Sequence, residues 1–276
     1  MRIVYPLMSL LAATVAAAQP VSIQFNSLDR SILSERLERV SVKNAERAQR
    51  LREIFQQAGC PADRLQEQQI KGSKIPNIIC TQPGKTEDTI VVGAHLDRAG
   101  SAGQGMVDNW SGAALLPALF QSLPAGRRHT FVFVGFADQE SGPAGSRFYV
   151  RQLDREQKAR VRAMIQLTSV GTSAARVWMN RSDPKLVSDL ARVAAAMKIP
   201  LTGVNSEEMD RDDAAAFRDA KIPTLTLHSL TPETFPILGT ARDTVEAIRM
   251  DNYYETYRLV SAYLMLLDAV IAPPAQ

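Results

Sequence analysis

The sequence predicts an α/β protein, a three-layer α/β/α sandwich around a mostly parallel mixed sheet. Three observations carry this prediction. Short runs of β-branched and apolar residues, such as "DTIVVGAH" and "TFVFVGF", read as strands buried on both faces. Between them lie stretches with apolar residues at three- and four-residue spacing, the pattern of amphipathic helices. No internal repeat or long linker interrupts the alternation, so residues 19–276 read as one domain.

The elements follow in order. "MRIVYPLMSLLAATVAAAQP" combines a basic start at Arg2, an apolar stretch and the small residues Ala16, Ala17 and Ala18. That three-part pattern predicts a signal peptide over 1–18, an exported protein (periplasmic or extracellular) and a mature domain over 19–276. A membrane span would need roughly 20 apolar residues, and Pro6 interrupts this run, so no span is expected in the mature form. From Ser34 to Gln57, apolar residues at Leu37, Val40, Ala48, Leu51 and Phe55 predict one amphipathic helix. "LQEQQI" and "PNIICTQPG" read as two strands, the second closed by Pro-Gly, and "DTIVVGAHLD" as a third. A helix over Asp108–Leu123 follows, with Asn109 or Ser111 as its cap and a bend expected at Pro117. Next come the strand "HTFVFVGFAD" and a helix beginning in "GPAGSRFYVRQL". "AMIQLTSV", "ARVWMN" and "IPTLTLHS" are further strands, with helices Ser182–Lys198 and Asp213–Ala220 between the last two. A long helix over Asp251–Ile271 closes the domain.

Charge narrows the function classes. Thirty-two Lys and Arg against 29 Asp and Glu leave a net charge of +3, with both signs mixed along the chain. The densest basic cluster, "DREQKARVR" at 154–162, contains acids and reads as a solvated helix face, so no nucleic-acid partner is expected. Cys60 and Cys80 are the only cysteines. In an exported chain they predict a disulfide worth ~3 kcal/mol, with two separate buried thiols as the alternative.

In a parallel sheet the ligand sits at the carboxyl ends of the strands. There this chain places His95 and Asp97 after one strand, Asp108 at the mouth of the next helix, and Glu140 after another strand. One imidazole and two carboxylates are ligands that zinc accepts. Asp97 is spaced to hold the second ring nitrogen of His95. Taken singly, each has an ordinary reading: a hydrogen-bonded strand-end His, a helix-capping Asp, a solvated Glu. Their combination is what points to a metal.

"GAHLD", "VDNWSG", "FADQESGPAGS", "RDDAAAFRDAKIP" and "ILGTARDTVEAI" resemble, in order and spacing, the successive motifs of the M28 zinc aminopeptidases. The resemblance runs from about Asn77 to Asp268. It implies a zinc-exopeptidase-like fold and a two-zinc site with a bridging Asp. A Glu just before the metal-binding Glu would act as general base. His95 matches the first histidine, Asp108 the bridging Asp and Glu140 the metal-binding Glu. Three other positions depart. Gln139 stands at the base position, Thr168 where the strand should supply an Asp, and Gly239 where a late His is expected. Asp213 matches an Asp that borders the family's substrate pocket, although read by itself it is a helix N-cap.

A carboxamide takes no proton at neutral pH, so Gln139 cannot serve as the base. A Thr hydroxyl is a poor zinc ligand and Gly has no side chain. These losses predict one weak zinc site or none, and argue against a two-zinc site. The glutaminyl cyclases, M28-like relatives with one zinc, use the late His position that is Gly239 here. The resulting expectation is an exported pseudopeptidase whose cleft still takes a peptide or small amino compound. M28-like domains in nicastrin and the transferrin receptor resemble a precedent for non-catalytic use. The alternative is a living aminopeptidase with a single-metal or rebuilt site, in which His228 or Asp138 steps in. His129, at the opposite end of its strand, reads as structural.

Overall fold

The computed structural model describes residues 23–271 apart from Ala99, Ser101, Ser141 and 206–211, so the expected signal peptide lies outside the described residues. Eight strands form one sheet: β1 (Leu65–Gln68), β2 (Asn77–Gln82), β3 (Thr89–His95), β4 (Thr130–Phe136), β5 (Val161–Leu167), β6 (Ala175–Trp178), β7 (Leu201–Val204) and β8 (Thr224–His228). Their order is β1-β2-β4-β3-β5-β8-β6-β7. The central β4-β3-β5-β8 strands are parallel, and β1, β2 and β6 run antiparallel to their inner neighbours. Both faces of the central strands are covered, which is why their sequences are unbroken apolar runs rather than alternating ones.

Among the described residues, eight α-helices complete the sandwich: α1 (Arg30–Glu38), α2 (Asn44–Gln57), α3 (Ser111–Ser122), α4 (Ala144–Gln152), α5 (Arg155–Arg160), α6 (Pro184–Met197), α7 (Ala214–Asp219) and α8 (Met250–Val270). One face of the sheet shares a core with α1, α2, α3, α6 and α8, the other a smaller core with α4 and α7. Cys60 and Cys80 form a disulfide, with Cα atoms 6.4 Å apart, tying the loop after α2 to β2. Helix α3 runs through Pro117 as one element.

Two elements differ from expectation. The single helix over 34–57 is two, broken at residues 39–43. Arg50 donates to the carbonyls of Arg39 and Val40, Arg47 donates to that of Ser41, and the Ser41 hydroxyl accepts from the Lys43 amide. These side chains take the place of helical partners in a Val-Ser-Val stretch that has weak helix propensity. The short edge strand β7 had no counterpart in the sequence reading. It is four residues long and half exposed, so it carries no apolar run to betray it.

Candidate metal centre

The register of the parallel strands builds the site. His95 pairs with Phe136, so the residues after His95 run beside those after Phe136. On the other side Gly93 pairs with Gln166, and continuing that register brings Thr168 level with His95. Asp108 arrives from the loop that enters α3. Asn109, whose peptide bond to Asp108 is cis, locks that loop to β5. Its Nδ2 donates to the Leu167 carbonyl at 3.0 Å, and its Oδ1 accepts from the amides of Ser169 and Gly112 at 2.9 and 3.2 Å. A Cβ at Gly112 would lie 2.6 Å from Asn109 Oδ1 and 2.8 Å from the Leu167 carbonyl oxygen, so only glycine lets α3 start this close. The "DNWSG" motif is thus a clamp that sets Asp108 at the strand ends.

His95 is fully buried and its Nε2 lies 3.2 Å from Asp108 Oδ1. One ligand atom each from His95, Asp108 and Glu140 lies within 4.8 Å of the others. The second ring nitrogen, Nδ1, is 3.2 Å from the Asp97 carbonyl oxygen and 3.7 Å from the Asp97 carboxylate. The carboxylate itself accepts the amides of Gln139 and Glu140 at 3.1 and 3.2 Å. Asp97 therefore holds the ring through its main chain and the Gln139–Glu140 turn through its side chain. Burial alone would depress the His95 pKa, but hydrogen bonds and charge from Asp108 and Asp97 overcome it and raise it well above the ordinary value. Burial pushes Asp97 the other way, yet His95 and the two amides hold its pKa below the usual range.

One positioning group escaped the sequence reading. Arg47 on α2 is fully buried and donates to the carbonyls of Leu96, Ser41, Gln104 and Gly105, the last three at 3.0–3.1 Å. Its guanidinium also lies 5.3 Å from the Trp110 ring centroid. It pins the loop after His95 to the loop before Asp108. Burial lowers its pKa to about 10, which still leaves it cationic, with Asp97, Asp243 and Asp108 favouring the charge. The signal was present in the sequence: Arg47 is four residues before Leu51 on the apolar face of the helix.

The remaining predicted residues fall as follows. Gln139 is buried beside Glu140 and brings no carboxylate. Gly239 has φ 66°, and nothing lies within 4 Å of where its Cβ would be. Its segment packs on the Asp108 loop, since Asp243 Oδ1 accepts from the Val107 amide at 2.6 Å. Asp213 is wholly buried, and its oxygens have no hydrogen-bond partner of ordinary geometry among the described residues. Burial raises its pKa to about 7, with His95 pulling it down in part and the nearby Ser146 hydroxyl helping. Asp138 has φ 55° and faces a neighbouring groove. His228, the suggested substitute ligand, is not brought into the group with His95. Its Nδ1 accepts from the Leu230 amide at 3.1 Å, its ring packs 5.1 Å from Trp178, and burial with Arg176 nearby lowers its pKa to about 3. His129 pairs with Asp268 of α8 at 3.1 Å, at the far end of the sheet.

The model of Peptidase family M28 matches residues 77–264. The chain belongs to this family. Leupeptin-inactivating enzyme 1 of Streptomyces exfoliatus is 30% identical over 151 residues, covering 53% of this chain and 34% of that enzyme, so the chain spans about a third of that relative's length. Among solved structures, BSAP, a zinc aminopeptidase from Bacillus subtilis, superposes with a TM-score of 0.63 at 23% identity over 72% of this chain and 51% of that one. The glutaminyl cyclase of an Acidobacteriales bacterium gives 0.72 at 18% identity, over 92% of this chain and 99% of that one. At these identities the structural likeness shows the fold alone. It shows a mixed α/β sheet of the M28 type.

Among the described residues of this M28 domain, one group of side chains could hold a cation. His95, Asp108 and Glu140 meet around one point, which suits a zinc with three protein ligands and an open position. A second ion needs further donors near Thr168 and Gly239. Neither residue can supply a carboxylate or an imidazole. No helix among the described residues is long and apolar enough to cross a membrane.

Proposed function

We propose that this M28 domain is an exported peptide-binding protein with a single-cation centre and little or no peptidase turnover. The observation that carries the reading is the meeting of His95, Asp108 and Glu140 around one point, beside a buried Gln139 where a base is needed. His95, Asp108 and Glu140 would hold the ion. Zinc bound there would supply Lewis-acid polarisation of a substrate oxygen or a hold on an amino group. The chain's own contribution is positional: Asp97 and Arg47 fix the loops, and the buried Asp213 lends a carboxyl group next to the His95 environment. Gln139 can donate and accept hydrogen bonds but cannot remove a proton from water, which forfeits roughly 10²–10⁴-fold in rate. The partner class is a peptide or small amino compound.

The test is to measure peptide binding and hydrolysis of aminoacyl-aminocoumarin substrates by the mature chain with zinc supplied. Binding without chelator-sensitive turnover supports the reading. Chelator-sensitive turnover that is lost in His95→Ala would instead establish the rebuilt single-metal aminopeptidase, the second reading.

A further inference from the structure

A concavity of about 650 Å³ is lined among others by Lys43, Asn44, Lys71, Lys74, Asp138 and Ala144. Two of its walls continue the loops that build the centre. On one side Asn44 Oδ1 accepts the Arg98 amide at 3.0 Å, one residue past Asp97. On the other, the Ala144 amide donates to the Asp138 carbonyl at 3.3 Å and closes the turn that carries Gln139 and Glu140. The groove therefore shares its walls with the loops that carry Asp97 and Glu140.

The third wall is a fixed turn. Ile70 and Ile75 anchor it in the core, and the Ser73 amide donates to the Ile70 carbonyl at 3.0 Å. The Ser73 hydroxyl accepts the Ile75 amide at 3.0 Å and lies 2.7 Å from the Ile75 carbonyl oxygen. Lys71 and Lys74 project from this turn into water, and neither has an acid as ion-pair partner among the described residues. Lys43 is 2.9 Å from Glu46. Asp138 is the one acid in the lining, against three lysines.

We propose that this groove is a specificity subsite that selects peptides carrying carboxylates downstream of the residue held at His95, Asp108 and Glu140. The proposal rests on the peptide-binding reading. Ammonium groups on separate flexible stems read charge rather than a planar ligand shape, which suits spaced Asp or Glu side chains better than one compact anion. Asp138, at the end nearest Glu140, repels a carboxylate there and moves the preferred acidic positions out toward Lys71 and Lys74. Because the turn is already ordered, only the lysine stems lose freedom on binding.

The test uses the mature chain and three amidated peptides, Leu-Ala-Glu-Glu, Leu-Ala-Gln-Gln and Leu-Ala-Lys-Lys, titrated calorimetrically. The expected result is about tenfold tighter binding of the Glu peptide than the Gln peptide at low ionic strength. That preference should collapse at about 0.5 M salt, where charges are screened within a few ångströms. The double variant Lys71→Glu/Lys74→Glu should remove the preference for the Glu over the Gln peptide, with Lys71→Ala/Lys74→Ala intermediate. Equal affinity for the Glu and Gln peptides, or a preference that survives the charge reversal, overturns the subsite alone. If none of the three peptides binds, the peptide-cleft reading falls and takes the subsite with it.

Discussion

If three substitutions took a base and a second set of ligands from this centre, reversing them should restore both. The perturbation is Gln139→Glu, Thr168→Asp and Gly239→His together. The structure sets the costs. Gly239 sits at φ 66°, where a non-glycine residue loses about 1–2 kcal/mol, but the space around its Cβ is open and no clash adds to this. Gln139 and Thr168 are both buried, so each new carboxylate lies close to Asp108 and Glu140 with little water to screen it. Without an ion that repulsion and desolvation should cost a further few kcal/mol. With zinc the sign reverses, because the ion binds only the folded state. At a hundredfold excess over its dissociation constant, each ion stabilises by about 2.7 kcal/mol. With two ions bound against one in wild type, the triple variant should melt below wild type in chelator and above it in zinc, and its shift between the two conditions should be about twice that of wild type. Differential scanning calorimetry reads both shifts, and an aminoacyl-anilide assay should detect turnover in the zinc-loaded variant only. A folded triple variant that gains neither zinc nor activity would refute the reasoning, for the cleft must then be remodelled beyond these three positions.

Other predictions follow from single contacts. Arg47→Met strips the donor from four carbonyls, three of them buried, and should cost about 3–5 kcal/mol in urea unfolding, with Arg47→Lys recovering only part, since an ammonium has three donors. Removing the Cys60–Cys80 bridge, which closes a loop of 20 residues in sequence separation, should cost about 3 kcal/mol; no change in the unfolding midpoint would contradict it. His228 is neutral when folded, with a pKa of about 3, and titrates near 6.5 when unfolded. The unfolded chain therefore binds the extra proton, so stability is complete above pH ~6.5 and falls by about 1.4 kcal/mol per unit below it. His228→Asn should flatten that acid limb, and an unchanged pH dependence of the melting temperature would count against the burial argument.

What the sequence revealed depended on how locally each feature is encoded. The central strands β3, β4, β5 and β8 are buried on both faces and announce themselves as apolar runs, so the fold class was legible. The break between α1 and α2 was not, because Val40 keeps the helical spacing after Leu37 while the competing bonds come from arginines one to three turns away. Strand β7 was invisible for the opposite reason, being too short and exposed to need apolar residues. In the centre, His95, Asp108 and Glu140 each sit at a strand end or helix mouth that the sequence marks. Their approach to one point follows from the pairing register of β3 with β4 and from the Asn109 clamp, neither of which has a local signature. Arg47 shows the limit most clearly. A lone basic residue on an apolar helix face reads as an interruption until its four carbonyl partners are in place.

The most direct test of the single-cation reading is the zinc stoichiometry of the mature wild-type protein, measured by native mass spectrometry after equilibration with micromolar zinc and removal of loosely held ions. One zinc per chain at most is expected, and His95→Ala and Glu140→Ala should each abolish it. Two zinc ions retained per chain would contradict the reading outright.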